Sequence, residues 1–226
     1  MTNEEFSNEF DILINSFADI SNTSLLFDEY EKSVFLTQAQ ETLVLGIYNG
    51  SVRKDLSFEN IEEARRYIDV LVKEHAYNSY DGQTSPNGTI FNLDEKVWFI
   101  TSETATLGGT DKCVDDKIIE VVPVTQDNFY RTKDNPFKGP NLRRALRLDL
   151  DGKVEIVSKY PIKNYTIRYL SRPEPIILTT LDSPLTINGE SKYTECKLNS
   201  AMHRLILDMA VKFAIASRSI AAKNNV

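Results

Sequence analysis

Residues 77–101, Tyr77-Asn-Ser-Tyr-Asp-Gly-Gln-Thr-Ser-Pro-Asn-Gly-Thr-Ile-Phe-Asn-Leu-Asp-Glu-Lys-Val-Trp-Phe-Ile-Thr101, mark the place where the chain changes its hydrophobic period. Upstream, apolar residues recur at helical spacing. Thr2 with Glu5 forms a capping box, and Phe6, Phe10, Leu13 and Phe17 then fall on one face of a helix that runs to about Asp19. After Ser21-Asn22-Thr23-Ser24, Asp28 with Glu31 repeats the box and opens a helix of about five turns, which Asn49-Gly50 stops. Asn60 with Glu63 opens a third, with Ile61, Ala64, Ile68, Leu71 and Val72 as its stripe and its end near His75. The Asn-, Ser-, Gly- and Pro-rich stretch from Tyr77 to Gly88 is expected to be a mobile loop.

Downstream of Gly88 the apolar runs become short, β-branched and aromatic. Thr89–Leu93, Val97–Thr101, Ile118–Val124, Leu146–Leu150, Val154–Val157 and Tyr165–Leu170 read as strands. Asp151-Gly152 marks a hairpin. A two-residue turn would put Leu148 on the same face as Glu155, so one extra residue is expected in the turn, pairing Leu148 with Ile156. Arg172-Pro173-Glu174-Pro175 leaves the sheet, because each proline removes a ladder donor. A last helix begins near Asn199 with Met202, Ile206, Met209, Phe213 and Ile220 in a stripe, while Ala210, Ala214 and Ala216 leave room for a close neighbour. The expected class is α+β: N-terminal helices and a C-terminal helix packed with a central antiparallel β-rich subdomain. One adaptor-type domain over 1–226 is expected, with a helical region over 1–76, a β-rich region over 89–190 and the C-terminal helix over 199–223.

Composition sets the outer bounds. The 226 residues are 41% hydrophobic and 26% charged, ordinary values for a chain with a sizeable core. No apolar run approaches the ~20 residues of a membrane span, and the Met-Thr-Asn-Glu-Glu start is not a secretory signal, so a cytosolic product is expected. Cys113 and Cys196 then read as reduced thiols, and the sequons at Asn22, Asn87 and Asn164 carry no sugar. Net charge is -7 but unevenly placed. Eight acids precede the first basic residue, Lys32, whereas the last helix carries Arg204, Lys212, Arg218 and Lys223 against Asp208. Such ends are either solvated faces or a contact, within a subunit or between neighbours.

The motifs that invite a catalytic or metal-binding reading each depart from the pattern they suggest, and nothing favours a carboxylate-pair enzyme. Gly108-Gly109-Thr110-Asp111-Lys112 lacks the leading glycine and the Gly-Lys-Ser/Thr order of a phosphate loop. Asp111, Asp115 and Asp116 lack the alternation that surrounds calcium with oxygens. His75 and His203 have no catalytic partner at recognisable spacing. No catalytic, cofactor or metal residue is assigned, and no enzyme activity is expected.

The specialised segment is Asn128–Leu150. Between Arg131 and Arg147 it holds six basic residues and one acid in an acidic chain. Phosphate neutralisation needs only clustered Lys and Arg, and Phe129, Tyr130 and Phe137 could stack bases, so a DNA-binding or genome-packaging accessory is one reading. Arginine and aromatics also dominate protein interfaces, and the net negative charge favours that reading; a plain solvated loop is the third. Asn135, Pro136, Phe137, Lys138, Arg143, Arg144 and Arg147 are the protein-contact candidates. Pro136 and Pro140 restrict the segment's backbone.

Several stretches carry a family resemblance. Asp28-Glu-Tyr-Glu-Lys-Ser-Val-Phe-Leu-Thr-Gln-Ala-Gln40, Asn135-Pro-Phe-Lys-Gly-Pro140, Arg143-Arg-Ala-Leu-Arg147, Tyr169-Leu-Ser-Arg-Pro-Glu-Pro-Ile-Ile-Leu178 and the helix from Leu198 resemble, in order, virion proteins of crAss-like short-tailed bacteriophages of gut bacteria. These are structural ring proteins of the neck, adaptors between head and tail. The resemblance implies a non-enzymatic subunit of a closed, twelve-fold ring without cofactor or metal. That ring would surround the genome-ejection channel and be assembled in the host bacterial cytoplasm. Its partners would be itself, the portal and other neck and tail rings, with genome DNA passing without sequence-specific binding and no membrane contact. No functional residues transfer with the resemblance.

Overall fold

The computed structural model describes residues 1–18, 26–50, 66–110 and 113–224. The expected break at 21–24 and the start of the third helix, with Ile61 and Ala64, lie outside the described residues, as do the side chains of Phe17 and Ile220. The fold is α+β, and the chain forms two compact units, Met1–Leu71 with Pro173–Val226, and Val72–Arg172.

Among the described residues the first unit contains the helices α1 (Asn3–Ala18), α2 (Glu29–Tyr48) and a last helix spanning Ser200–Asn224. Both capping boxes form. Glu5 N–H donates to Thr2 Oγ1 at 3.2 Å and Thr2 N–H to Glu5 Oε2 at 2.8 Å, and Asp28 and Glu31 repeat the exchange on α2. Gly50, at φ 67°, follows the end of α2 in the left-handed conformation that a Cβ disfavours. The buried stripe of α1 is Phe6, Phe10 and Ile14; Leu13, expected in it, sits at its half-buried edge. On the last helix, Met202, Ile206, Ala210 and Ala214 are buried, Met209 and Phe213 flank them half-buried, and Ala216 is exposed. Helix α2 makes the most extensive packing contact of this helix.

Helix α2 buries polar side chains too, which the extended segment 174–178 explains. Ile176 N–H donates to Thr37 Oγ1 at 3.1 Å, Leu178 N–H to Ser33 Oγ at 3.0 Å, and Gln40 Nε2–H to the Glu174 carbonyl at 3.0 Å. The prolines do take the chain out of the sheet. A helix side, through residues at i, i+4 and i+7, then supplies the backbone partners that a strand would have given.

The second unit is one eight-stranded sheet. In chain order the strands are β1 (Val72–Asn78), β2 (Gly82–Thr84), β3 (Thr89–Asn92), β4 (Val97–Leu107), β5 (Ile118–Pro123), β6 (Arg144–Leu150), β7 (Lys153–Val157) and β8 (Ile162–Ser171). The spatial order is β1-β8-β4-β5-β6-β7-β3-β2, antiparallel except for the parallel pair β5 and β6. The edge strands β1 and β2 are joined by only Ser79–Asp81, so the sheet must roll up. Tyr77 on β1 and Tyr165 on β8 accordingly meet Phe91 on β3, at ring-centroid distances of 5.9 and 5.3 Å, inside the roll.

Three local expectations are corrected by the structure. The third helix does not reach His75: residues 66–68 are helical, a 3₁₀ turn covers Asp69–Leu71, and Val72 starts β1. That strand pairs on one side only and buries only Tyr77 among its residues, so it carries no alternating pattern to oppose a helical reading. The expected mobile loop from Tyr77 to Gly88 contains the end of β1, a 3₁₀ turn, β2 and a tight turn, in which Ser85 N–H donates to the Gly88 carbonyl at 2.9 Å and Gly88 N–H to Ser85 Oγ at 3.0 Å. The hairpin at Asp151-Gly152 has the two-residue turn, with Gly152 at φ 62° and Leu148 opposite Glu155. The expected extra residue rested on one face of the hairpin being polar. Both faces are covered: Ala145, Val154 and Ile156 join the interior of the roll, whereas Leu146, Leu148 and Val157 pack under Phe129 outside it. Glu155 is buried beside Leu148 and accepts a hydrogen bond from Ser85 Oγ.

Candidate protein-contact site

The connection from β5 to β6 joins parallel neighbours and therefore has to cross over the sheet. It does so through a 3₁₀ turn, Gln126–Asn128, and a short helix α3, Phe129–Lys133, which makes the helix Ser200–Asn224 α4 in chain order. Phe129 is the anchor: it is buried on Leu146, Leu148 and Val157, and the Lys133 ammonium lies 5.6 Å from its ring centroid while donating to Asn87 Oδ1 at 2.9 Å. With α3 held there, Tyr130 projects outward and is 68% exposed.

The loop that follows is tied to itself by short polar side chains. Asn135 Oδ1 accepts from the N–H groups of Phe137 and Lys138 at 2.9 and 3.0 Å, and the Asn135 carbonyl accepts from Gly139 N–H at 2.8 Å. Asn141 Oδ1 accepts from Arg143 N–H at 2.8 Å, and Asn141 N–H donates to the Arg144 carbonyl at 2.9 Å. Gly139 is pressed so close that a Cβ there would sit 2.6 Å from the Lys133 carbonyl oxygen. Asx turns and two prolines thus fix the backbone that carries Phe137, which is 86% exposed. A large aromatic held on a fixed loop at this exposure buries little for its own fold and is available for contact with another molecule.

The basic candidates divide. Arg131, Lys138 and Arg143 are exposed, Arg144 is half-buried at the start of β6, and none of the four has a carboxylate partner among the described residues. Arg147 is elsewhere. Its side chain is 11% exposed, its Nη1 donates to Glu103 Oε1 at 2.6 Å, and its Nε lies 3.0 Å from Asp149 Oδ1. Tyr165 Oη donates to the other Glu103 oxygen at 2.7 Å. Burial pushes the Glu103 carboxyl up, and Arg147 and the Tyr165 hydroxyl pull it back without cancelling the rise. Burial also raises the Tyr165 hydroxyl, with the Glu103 charge acting in the same direction, so it remains a donor. The structure therefore places Asn135, Pro136, Phe137, Lys138, Arg143 and Arg144 along the crossover loop and the start of β6, with Tyr130 and Arg131 on α3 just before them, and turns Arg147 away from them. Glu103 escapes a reading of the sequence that ends β4 at Thr101; the strand continues, and the alternation Glu103, Ala105, Leu107 marks inward positions.

The charged ends meet within one chain. Arg204 on α4 donates to Glu9 on α1 at 2.5 Å, and Arg218 on α4 to Glu31 on α2 at 3.4 Å. His203 is buried, with Nε2–H donating to the Leu198 carbonyl at 3.1 Å and Nδ1 accepting from the Met1 ammonium at 2.7 Å. Of the remaining motifs, Asp116 pairs with Lys163 at 2.5 Å, while Asp111 and Lys112 lie outside the described residues.

Residues 1–226 match the sequence profile of the family described as phage tail ring protein 3/4. The chain belongs to that family. It is 45% identical over 230 residues to Ring protein 3 of Bacteroides phage crAss001, covering 97% of each chain. To Ring protein 4/5 of the same phage it is 31% identical over 237 residues, covering 96% of this chain and 93% of that one. The resemblance to crAss-like ring proteins therefore holds over the full length, and this chain is a phage structural ring protein. No helix among the described residues of this family member is long and apolar enough to cross a membrane.

Proposed function

We propose that the chain, acting over 1–226 as one adaptor-type subunit, forms a closed twelve-membered ring in the neck of the virion, between portal and tail and around the genome-ejection channel. It hydrolyses nothing and needs no metal in this role. The higher identity to Ring protein 3 than to Ring protein 4/5 supports the layer that the former name denotes. The exposed Tyr130–Arg143 surface is its contact with a neighbouring subunit or ring. The observation that carries this reading is the rigid presentation of Phe137 and Tyr130 among unneutralised basic residues, in a chain whose net charge is -7. Such a surface loses little ordering entropy on docking and offers an aromatic anchor to an acidic neighbour, where a hot spot contributes about 2 kcal/mol or more.

The test is a Phe137→Ala, Arg143→Glu, Arg144→Glu variant supplied to a phage genome lacking this gene. It is expected to fold, by circular dichroism and melting, and to be depleted from purified particles. Incorporation equal to the parent would refute the contact assignment. A DNA-binding accessory would instead show DNA affinity in the isolated protein that falls steeply with salt.

A further inference from the structure

In the helical unit, a cleft of about 450 Å³ opens beside the first two turns of α1, lined by Asn3, Glu4, Ser7, Asn8 and Glu29 among others. Its wall is rich in acceptors and acidic. Beneath it lies Lys32, whose side chain is 4% exposed and whose Nζ donates to Asp11 Oδ2 at 2.7 Å and to Glu29 Oε1 and Ser7 Oγ at 3.0 Å each. Burial alone would lower this ammonium, but its hydrogen bonds to Asp11 and Glu29 outweigh that and hold it above the usual lysine value. Lys32 is therefore a fixed cation paired with two carboxylates, Asp11 and Glu29, and with Glu4 also on the wall the site retains net negative charge.

Asn3 supplies an independent indication. It is 2% exposed, and its amide N–H groups donate to the carbonyls of Ile177 and Thr194 at 2.8 and 3.0 Å. Its Oδ1 has no hydrogen-bond partner among the described residues. A buried carbonyl oxygen left without a donor is unfavourable by about 1–3 kcal/mol, and this one belongs to a residue of the cleft wall. What the cleft lacks is a donor-rich cation.

We infer that this cleft receives a basic side chain from the Arg131–Arg143 surface of a second copy of this chain. The inference rests on the reading of that surface as a contact. Charge complementarity selects the occupant: the chain displays exposed Arg131, Lys138 and Arg143 without carboxylate partners on one surface, and an acidic cleft with an unsatisfied acceptor on another. Two different patches that recognise each other make a heterologous, head-to-tail contact, the type that propagates around a ring. An arginine or lysine head reaching Glu4 and Glu29 would meet the surplus charge, and a small shift of Asn3 would bring its Oδ1 to a donor as well.

A pair of charge-reversal variants tests both surfaces. The cleft variant is Glu4→Lys, Asn8→Lys, at two exposed positions of α1; the loop variant is Lys138→Glu, Arg143→Glu. Each is supplied alone, or both together, to a phage genome lacking this gene, with particle yield as the readout. Like charges then oppose each other in either homogeneous ring, and yield is expected to fall roughly tenfold or more. In the mixture every cleft can meet a loop of opposite charge in an alternating ring, and yield is expected to recover. If the loop variant alone assembles normally, the reading of the loop as a contact falls and this inference with it. If the loop variant fails while the cleft variant assembles, or if both fail and the mixture does not recover, the loop reading stands and the cleft assignment is overturned. Melting of each purified variant, expected within a few degrees of the parent, separates lost assembly from lost folding.

Discussion

Replacing Arg147 by leucine should make the stability of the rolled sheet depend on pH more steeply than the parent's does. In the parent the guanidinium is 2.6 Å from Glu103 and both side chains are nearly out of solvent, 11% and 5% exposed. Removing one partner of such a pair typically costs about 3–5 kcal/mol, because the other charge is left buried without compensation. The lower end applies here, since Tyr165 Oη still donates to Glu103 at 2.7 Å and Asp149, the other neighbour of Arg147, is mostly exposed. A loss of about 3 kcal/mol at about pH 8 corresponds to a fall in Tm of roughly 6–12 °C for a chain of this size.

The pH dependence follows from the direction of the Glu103 shift. Burial already places this carboxyl above the ordinary value, and the Arg147 charge is the larger of the forces opposing the rise. Without Arg147 the folded-state value climbs further while the unfolded one stays near 4.3. In the window between them the folded state binds more protons than the unfolded one, so stability falls as pH rises through it. Urea unfolding at about pH 5 and about pH 8 should then show the smaller loss at the lower pH, where Glu103 can protonate. Adding Glu103→Gln to Arg147→Leu should recover most of the stability and abolish the extra slope. A single variant within about 1 kcal/mol of the parent at about pH 8, or with equal losses at both pH values, would refute this account of the pair.

Three further outcomes are expected. His203 is held below its usual value, first by burial and also by the Met1 ammonium, so the unfolded chain takes up this proton first as pH drops below about 6.5; stability should decline through that range by up to ~1.4 kcal/mol per pH unit, and His203→Gln should remove that contribution to the slope in urea titrations. Gly88→Ala should destabilise by about 2 kcal/mol or more in thermal unfolding, because its Cβ would overlap the Ile156 carbonyl, whereas Gly108→Ala, with its nearest neighbour at 3.6 Å, should be neutral. Thr37→Val should lose about 1–3 kcal/mol in chemical denaturation, because the buried Ile176 N–H then lacks its acceptor.

The elements legible in the sequence are those whose signal is local. The capping boxes at Thr2 and Asp28 depend on residues three apart, and both form where the sequence puts them. The strands β3, β5, β6, β7 and β8 are recognisable because they are short β-branched and aromatic runs bounded by turn residues. Two features depend on distant partners and are not legible in the same way. Strand β1 is held by the ladder to β8, and its residues Lys73, Glu74, His75 and Ala76 lie exposed on the edge, so neither burial nor period announces it. The two-residue turn at Asp151-Gly152 contradicts the alternation only if one face is polar, and that face is covered by Phe129, which belongs to the crossover well upstream of the hairpin. On α4 Met202 and Ile206 are buried as expected and Ala210 and Ala214 are buried beside them, whereas Met209 and Phe213 are only half-buried and Ala216 is exposed.

The proposed contact surface is legible to the extent that composition suffices, and no further. Clustered arginine beside aromatics in an acidic chain identifies an outward-directed segment, and Phe137, Lys138 and Arg143 are exposed as that requires. Arg147 shows what composition cannot resolve. It lies in the same basic run, but an odd number of positions beyond Arg144, which puts Arg144 and Arg147 on opposite faces of β6 by the period of two. Arg144 stays on the side of Phe129 and the loop, while Arg147 joins Ala145 toward the interior and is neutralised by Glu103. The division matters for function. The arginine that turns inward helps to fix the strand from which the outward loop departs, so substituting Arg147 should impair assembly only as far as it impairs folding. Substituting Phe137 or Arg143 should impair assembly while the melting temperature stays close to the parent's, and the contrast between the two classes of variant, read in the same particle-yield and melting experiments, separates a residue that supports the surface from one that belongs to it.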